Sequence, residues 1–316
     1  MSPAPLSLRD HLDRYLAARR ALGFQLDTLE RLAGQFCDWL DAQNKTTFTV
    51  EDALTWARLP AEAAHSWWGM RLGAVRTFAR YLAALGLDVE VPPPGLLPVG
   101  SPRATPYIYS QDDLDTLLAA CPTVFGHGLL AETMHTLIGL LAATGMRIGE
   151  ALRMGWADLD TDTHALMVRS GKSGHVRLLA LHPTTTAALA AYHDLPARAR
   201  TRPDPAGPLL VSCLGTGYRR STIELDSTRL VKAAGLAPRA GAKPRLHDLR
   251  HTFTTTRMAT AYRDRTDPQR TLTLLATWLG HTSAAHTYWY LTATPELMAL
   301  AAARPETPHD AQRSRP

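Results

Sequence analysis

A cluster of prolines interrupts the chain about a third of the way along its length. Six prolines fall between residues 88 and 106, including three in a row at 92–94. Proline lacks a backbone donor and restricts the residue before it, so neither a helix nor a central strand can run through this segment. We therefore predict an extended linker over residues 88–106, with one domain on each side at residues 1–87 and 107–303.

The part before the prolines shows helical periodicity throughout. Leu8, Leu12 and Leu16 recur at the spacing of one helix face, and Gly23 ends that run. Three further runs repeat the pattern without any strand alternation. The first domain is therefore predicted to be a small all-helical bundle, with its later helices at 28–40, 50–57 and 67–85.

The part after the prolines is mostly helical with one stretch of strand pattern. Ser110 and Asp113 have the spacing of a capping box. Two short strand-like runs flank Gly-Lys-Ser-Gly at 171–174, which indicates a β-hairpin. The fold class is thus predicted to be mainly α with a small β-sheet, with residues 304–316 as a disordered tail. Helices are predicted at 129–143, 147–154, 184–193, 222–234, 247–261, 269–279 and 296–303.

Composition excludes several classes of protein. No run of about 18 apolar residues exists for a transmembrane helix, and the N-terminus lacks an apolar signal core, so we expect a cytoplasmic protein. The three cysteines are far apart and fit neither a disulfide framework nor a cysteine zinc site. The formal net charge is +5, and the residues beyond 95 carry the positive excess. This balance is compatible with a polyanionic partner.

Four polar strings carry residues suited to phosphodiester chemistry. Arginine donates two parallel hydrogen bonds to the oxygens of a phosphate. A tyrosine hydroxyl can act as a nucleophile, and lysine or histidine can move the protons that a displacement requires. The strings lack the carboxylate cluster typical of two-metal catalysis. They are TGMRIGE at 144–150, GKSGHVR at 171–177, HDLRH at 247–251 and LGHTSAAHTYWYL at 279–291.

The order and spacing of these strings resemble the tyrosine recombinases, also called phage-type integrases. In that family an arginine follows Thr-Gly, a lysine sits on a hairpin, an H-x-x-R-H box follows, and a tyrosine lies nine residues after an L-G-H triplet. The resemblance covers residues 7–86 as a core-binding domain and 107–303 as a catalytic domain. It assigns six catalytic positions: Arg147, Lys172, His247, Arg250, His281 and Tyr290.

The resemblance implies a covalent reaction without ATP, metal or other cofactor. Tyr290 would attack the scissile phosphate of DNA, leaving a 3′-phosphotyrosyl bond and a free 5′-hydroxyl. Arg147 and Arg250 would hold the non-bridging oxygens. Attack by a 5′-hydroxyl from another duplex would then exchange strands, which makes the expected function site-specific recombination on behalf of a mobile element.

The remaining positions receive supporting roles by the same resemblance. Lys172 would protonate the departing 5′-oxygen, His247 would help to move the tyrosine proton, and His281 would hydrogen-bond the phosphate. Glu150, one helical turn after Arg147, would support the architecture.

The resemblance also implies partners. We expect the two domains to close around double-stranded DNA as a homotetramer on two DNA sites, with the last helix docked on a neighbouring subunit. Whether a second, different recombinase shares the tetramer is a question that the sequence leaves open. Five arginines are candidates for DNA contact or, equally, for ordinary solvated surface: Arg71, Arg76, Arg80, Arg219 and Arg220.

Alternative interpretations remain at this point. A type IB topoisomerase would use the same chemistry without exchanging strands, and a DNA-binding regulator could use the same fold without catalysis. Tyr288 competes with Tyr290 as the nucleophile, although the two would face different sides of a helix. His247 and His251, four residues apart, could instead ligate zinc.

Overall fold

The computed structural model describes residues 6–98, 105–169, 176–281 and 295–303. The chain divides into two compact units, Met1–Ala104 and Thr105–Pro316. Within the described residues, no helix is both long enough and apolar enough to cross a membrane.

The first unit is the helical bundle that the periodicity predicts. The side chains of Ser7 and Thr49 each accept a hydrogen bond from the third residue of the helix that follows, and so cap α1 and α3. Phe36, Trp56 and Phe78 are among the large side chains that fill the core. The helices are α1 (Leu8–Ala21), α2 (Asp27–Asp41), α3 (Val50–Arg58) and α4 (His65–Ala84).

The first part of the proline-rich segment packs on this bundle. It is not helical, as predicted, but Leu97 is 5% exposed and belongs to the core of the first unit. Arg76 of α4 donates from Nε to the Pro92 carbonyl at 2.7 Å and from Nη2 to the Pro93 carbonyl at 2.9 Å. Up to residue 98 the segment is therefore docked rather than free, and Arg76 serves to hold it.

Arg71 lies in the core of the first unit rather than on its surface. The residue is 7% exposed, and its guanidinium carbon lies 3.6 Å from the centroid of the Trp56 ring. Nη2 also donates to the Trp56 carbonyl at 2.8 Å. This guanidinium is used in packing, which gives no support to the prediction that Arg71 contacts DNA. Arg80 is exposed, and its contact with DNA stays a prediction.

The second unit combines helices with one small sheet. Its helices are α5 (Gln111–Phe125), α6 (Leu129–Thr144), α7 (Ile148–Ala151), α8 (Pro183–His193), α9 (Pro196–Ala199), α10 (Arg220–Ala233), α11 (Asp248–Arg263), α12 (Pro268–Leu279) and α13 (Pro295–Ala302). The strands are β1 (Leu159–Asp160), β2 (Ala165–Arg169) and β3 (Val176–Ala180), paired antiparallel in the order β1-β2-β3. These elements confirm a mainly α fold with a small β-sheet.

Three elements of the second unit differ from those predicted from the sequence periodicity. The predicted helix over 147–154 stops at Ala151, and the carbonyl of Met154 instead accepts a hydrogen bond from Leu209 at 2.7 Å. The two-residue strand β1 and the single-turn helix α9 are too short to leave a periodic signal. The capping box predicted for Ser110 and Asp113, by contrast, is confirmed at the start of α5.

The core of the second unit surrounds α6, which packs against α5, α8 and α11. The last helix, α13, packs on α11 of the same chain, where Leu297 is 2% exposed among apolar side chains such as Met258 and Leu272. α11 also packs against α12, so α6, α11 and α12 are connected through α11.

The packing of Arg71 makes a prediction about the stability of the first unit. Replacement of Arg71 by Ala should lower the free energy of unfolding by about 2 kcal/mol, because it removes a buried hydrogen bond and a cation–π contact. Urea denaturation followed by tryptophan fluorescence measures this loss. Arg80→Ala, on the exposed side of the same helix, should change stability by less than about 0.5 kcal/mol. Equal effects of the two replacements would contradict the buried role of Arg71.

Candidate active site

The last turn of α12 is the structural centre of the site. α12 ends at Leu279, and Gly280 follows in the left-handed conformation with φ of 65°. The final carbonyls of a helix have no donors within the helix, and they carry the negative end of its dipole. Guanidinium groups from three separate parts of the chain donate to the carbonyls of residues 278–280. These groups belong to Arg147, Arg177 and Arg250.

Arg250 is the most deeply placed of the three and is 2% exposed. Its Nη2 donates to the Leu279 carbonyl at 2.8 Å, and its Nη1 donates to the Gly145 carbonyl at 2.9 Å. Nη2 also lies 2.8 Å from Nε2 of His281. A guanidinium has only donors, so Nε2 accepts and the proton of the neutral ring is on Nδ1. Arg250 thus joins the ends of α6 and α12 to His281.

Arg147 approaches the same turn from the start of α7. Its side chain is 42% exposed, and Nη1 donates to Oε1 of Glu150 at 3.0 Å. Nη1 and Nη2 each lie 3.5 Å from a carbonyl oxygen, those of Leu279 and Gly280 respectively. Arg147 and Arg250 therefore both reach the Leu279 carbonyl, and the structure brings these two sequence-predicted residues together.

Glu150 lies beneath the arginines and is an ionised carboxylate. Its side chain is 3% exposed and accepts hydrogen bonds from the Arg147 backbone N–H at 2.9 Å and from Arg177 at 2.7 and 3.1 Å. Burial alone would raise the pKa of Glu150, but these hydrogen bonds and the two positive charges lower the pKa to about 2. The cluster of three arginines and one glutamate therefore keeps a net positive charge.

Arg177 is the residue that sequence reasoning missed. It lies on β3, its side chain is 12% exposed, and its Nε donates to the Trp278 carbonyl at 2.7 Å. The strand alternation gives a signal for its orientation alone, since Arg177 and the apolar Leu179 are two residues apart and share a face. An inward-facing arginine requires a partner of opposite charge.

Two aromatic rings and a glycine support the cluster from behind. Trp278 donates from its ring nitrogen to the Thr144 carbonyl at 2.7 Å and stacks on Phe253 with a centroid distance of 6.1 Å. Gly145 ends α6 with φ of 63°, and a Cβ at this position would lie 2.6 Å from the Phe253 ring. Gly145 is thus required both by its backbone conformation and by this close approach.

The two histidines of the H-x-x-R-H box have different environments. His247 is exposed just before α11, although its crowded surroundings and the nearby charge of Arg250 lower its pKa. His251 is 8% exposed, and burial, aided by His247, Arg245 and Arg250, lowers its pKa to about 3. Both rings are therefore neutral near pH 7, and only His247 is accessible for proton transfer.

The other predicted residues lie at the margin of the site or outside the described residues. Arg219 and Arg220 are exposed at the start of α10, and Arg220 pairs with Glu224 at 2.7 Å. The charge of Arg220 contributes to the lowered pKa of His247, so this end of α10 is near the site. Three residues of the sequence analysis are outside the described residues: Lys172, Tyr288 and Tyr290.

The described ranges contain no group of three or more His, Cys, Asp or Glu side chains that could hold a metal ion. His247 and His251 have ring centroids 5.5 Å apart at an interplanar angle of 83°. These two rings pack edge to face, an arrangement that gives no support to the zinc interpretation.

Chemically, this arrangement is suited to a singly charged phosphodiester. Arg147 and Arg250 present two cations around one carbonyl, and His281 is held beside them. Fixed donors of this kind stabilise negative charge as it develops on phosphate oxygens. His247 supplies a neutral imidazole at the same end of α11 that can accept a proton.

Comparison with known proteins places the chain in a family. Residues 108–296 match the phage integrase family. The chain is 39% identical over 306 residues to y4rB of Sinorhizobium fredii, named an integrase/recombinase, covering 95% of this chain and 97% of the relative. It is 28% identical to the tyrosine recombinase XerC of Mesorhizobium japonicum over 74% of this chain and 70% of that protein.

A solved structure gives the same picture of the fold. The lambda integrase tetramer bound to a Holliday junction aligns with a TM-score of 0.61 at 17% identity, over 92% of this chain and 78% of that chain. The chain therefore belongs to the phage integrase family. It is a site-specific recombinase, an enzyme that cleaves and rejoins DNA.

The close approach at Gly145 makes a prediction about stability. Gly145→Ala should lower the free energy of unfolding by about 3 kcal/mol, because it combines left-handed strain with a clash against Phe253. Gly139→Ala is the matched control, since Gly139 lies within α6 and a Cβ there meets no atom within 4 Å. The control should be stabilised by roughly 0.5–1 kcal/mol through helix propensity. Similar thermal melts for both variants would contradict the assigned role of Gly145.

The buried His251 makes a prediction about pH dependence. Its pKa is about 3 in the folded protein and about 6.5 when exposed, so the unfolded state binds the proton first. The stability that the neutral ring contributes is complete above pH 6.5 and falls by about 1.4 kcal/mol per pH unit below it. Urea denaturation from pH 7.5 to 5 should show this loss in the wild type and a clearly smaller loss in His251→Gln, where the lowered pKa of His247 still contributes. His135→Gln, at an exposed position of α6, should retain the wild-type slope, and a wild-type slope in His251→Gln would contradict the assignment.

Proposed function

We propose that this recombinase cleaves and rejoins DNA through a covalent bond to Tyr290, as a homotetramer on two sites of double-stranded DNA in the cytoplasm. The observation that carries the proposal is the convergence of Arg147 and Arg250 on the Leu279 carbonyl with His281 beside them. This arrangement supports a role in binding a single phosphate.

The proposed first step exchanges one phosphodiester for another. The Tyr290 hydroxyl attacks phosphorus, its proton passes toward His247, and the bond from phosphorus to the 5′-oxygen breaks. Lys172 gives a proton to that oxygen, so the products are a 3′-phosphotyrosyl bond and a 5′-hydroxyl. The lowered pKa of His247 supports its role as a proton acceptor near neutral pH.

The arginines supply the electrostatic part of the proposed mechanism. Negative charge spreads over the non-bridging oxygens as the tyrosine attacks, and guanidinium donors held in advance stabilise it without reorganising. Arg250 is fixed by the carbonyls of Gly145 and Leu279. Arg147 is more exposed, which leaves room for a phosphate beside it.

Three observations support the proposed homotetramer on DNA: the net charge of +5, membership of the phage integrase family and the packing of α13. The neighbouring lambda integrase structure is a tetramer bound to a Holliday junction. In this chain Leu297 of α13 is buried against α11 of the same protomer. We propose that in the tetramer this apolar face packs against α11 of a neighbouring subunit instead. A second, different recombinase within the tetramer is an open part of the proposal.

The phage integrase relatives also support a role in a mobile element. No observation in the described residues favours a type IB topoisomerase or a silent DNA-binding regulator. Four of the six proposed catalytic residues lie around the end of α12 or the start of α11, and we propose that all six act together in catalysis.

Trapping of covalent protein–DNA adducts tests this function. Cells carrying the native locus would express wild type, Tyr290→Phe or Tyr288→Phe, and the DNA attached to each protein would be sequenced. We expect adducts at one defined sequence for wild type and for Tyr288→Phe, and none for Tyr290→Phe. Arg147→Ala and Arg250→Ala should each lower the adduct yield by about 100-fold or more, since each removes donors from the transition state.

The same experiment distinguishes the alternatives. Adducts that persist in Tyr290→Phe but vanish in Tyr288→Phe would reassign the nucleophile. DNA binding without adducts in the wild type would favour the silent regulator. Adducts at many sites, with relaxation of supercoiled plasmid and no exchange between defined sites, would favour the topoisomerase.

A further inference from the structure

We propose that Arg177 is a positioning residue for the recombination reaction. It neutralises Glu150 so that Arg147 stays available to the phosphate, and it fixes the turn that holds Arg147 and Arg250. This inference rests on the proposed function and adds to it a residue outside the six catalytic positions.

The hydrogen bonds of Arg177 assign it to the protein interior rather than to substrate. Nη1 and Nη2 donate to the two oxygens of Glu150 at 3.1 and 2.7 Å, and Nε donates to the Trp278 carbonyl at 2.7 Å. Each of its three nitrogens thus has an acceptor within the protein. Its side chain is 12% exposed, compared with 42% for Arg147. Arg177 is therefore a largely buried structural cation, whereas the side chain of Arg147 is accessible from solvent, where DNA would bind.

The charge of Glu150 explains why a second cation is needed. A buried carboxylate attracts the nearest guanidinium into a two-pronged ion pair. Arg147 now gives Glu150 only Nη1 and its backbone N–H, while Nη2 points to the Gly280 carbonyl. Without Arg177, Glu150 would form a bidentate ion pair with Nη1 and Nη2 of Arg147. The donors that should meet a phosphate would then be occupied by the protein.

Gly280 gives independent evidence that Arg177 belongs to the site. A Cβ at position 280 would lie 2.9 Å from Nη1 of Arg177. The glycine of the L-G-H triplet is favoured by its φ of 65°, and the Arg177 guanidinium occupies the space beside it. The turn that precedes His281 is thus in direct contact with the Arg177 side chain.

The position of Arg177 on the hairpin adds a connection to Lys172. β2 ends at Arg169 and β3 begins at Val176, and Lys172 is among the six residues that join them. Arg177 is the second residue of β3, so its hydrogen bonds to Glu150 and Trp278 attach this end of the hairpin to α7 and α12. The anchored strand β3 thus directly follows the lysine-bearing connection in the chain.

Single-turnover cleavage of a duplex carrying the sequence recovered from trapped adducts tests the inference. The proteins are wild type, Tyr290→Phe, Arg177→Ala, Glu150→Gln and the double variant Arg177→Ala/Glu150→Gln. Arg198→Ala is the matched control, because Arg198 is a buried arginine of α9 that donates to the Leu209 carbonyl away from the site. Thermal melts and DNA affinity by gel shift are measured for every variant.

We expect Arg177→Ala to cleave about 100-fold more slowly than wild type with DNA affinity within about threefold, since a displaced catalytic group loses rate rather than binding. The double variant should recover at least about tenfold of that rate, because removal of the carboxylate charge releases Arg147. A purely structural role would give no such recovery. Arg198→Ala should lose stability and keep the wild-type cleavage rate per folded molecule.

Two outcomes overturn the inference by itself. Wild-type cleavage by folded Arg177→Ala would do so, and so would a double variant no faster than Arg177→Ala alone. If Arg177→Ala does not fold, Arg177→Gln takes its place with the same expected results. Cleavage that is absent in wild type, or unchanged in Tyr290→Phe, would overturn the proposed function itself and the inference with it.

Discussion

The C-terminal turn of α12 is the feature on which the rest of the site depends. Its carbonyls have no partners within the helix, and they carry partial negative charge. Three guanidinium groups meet there, from the residue before α7, from β3 and from α11, which are far apart in the sequence. The helix end thus gathers positive charges that would otherwise repel one another. Glu150 offsets part of this charge through its ion pairs with Arg147 and Arg177. The remaining positive charge favours the binding of a phosphate.

The glycines of the site have a related physical role. Gly145 and Gly280 both adopt left-handed conformations at helix ends, and each has a side chain packed where a Cβ would be. The Gly145 carbonyl accepts from Arg250, and the Gly280 carbonyl lies near Arg147. Gly145 and Gly280 therefore have the same structural role. Each brings a backbone carbonyl close to a guanidinium group, that of Arg250 for Gly145 and that of Arg147 for Gly280.

Much of this fold could be predicted from local sequence, because caps and periodicity act over a few residues. Ser110 with Asp113, the helical bundle and the hairpin arms are examples. The order of motifs indicated the family, but the role of Arg177 could not be read locally, since its partners lie 27 and 101 residues away. The burial of Arg71 has a signal in helix geometry. Arg71 is nine positions from the exposed Arg80, which places the two on opposite faces of α4.

The most direct test of this account is a crystal structure of Tyr290→Phe bound to a duplex that contains its cleavage sequence. We expect Arg147 and Arg250 to contact the non-bridging oxygens of one phosphate, the one that Tyr290 would attack. Arg177 should keep its hydrogen bonds to Glu150 and to the Trp278 carbonyl. A structure in which Arg177 leaves Glu150 to bind the phosphate, or in which Arg147 and Arg250 bind different phosphates, would contradict it.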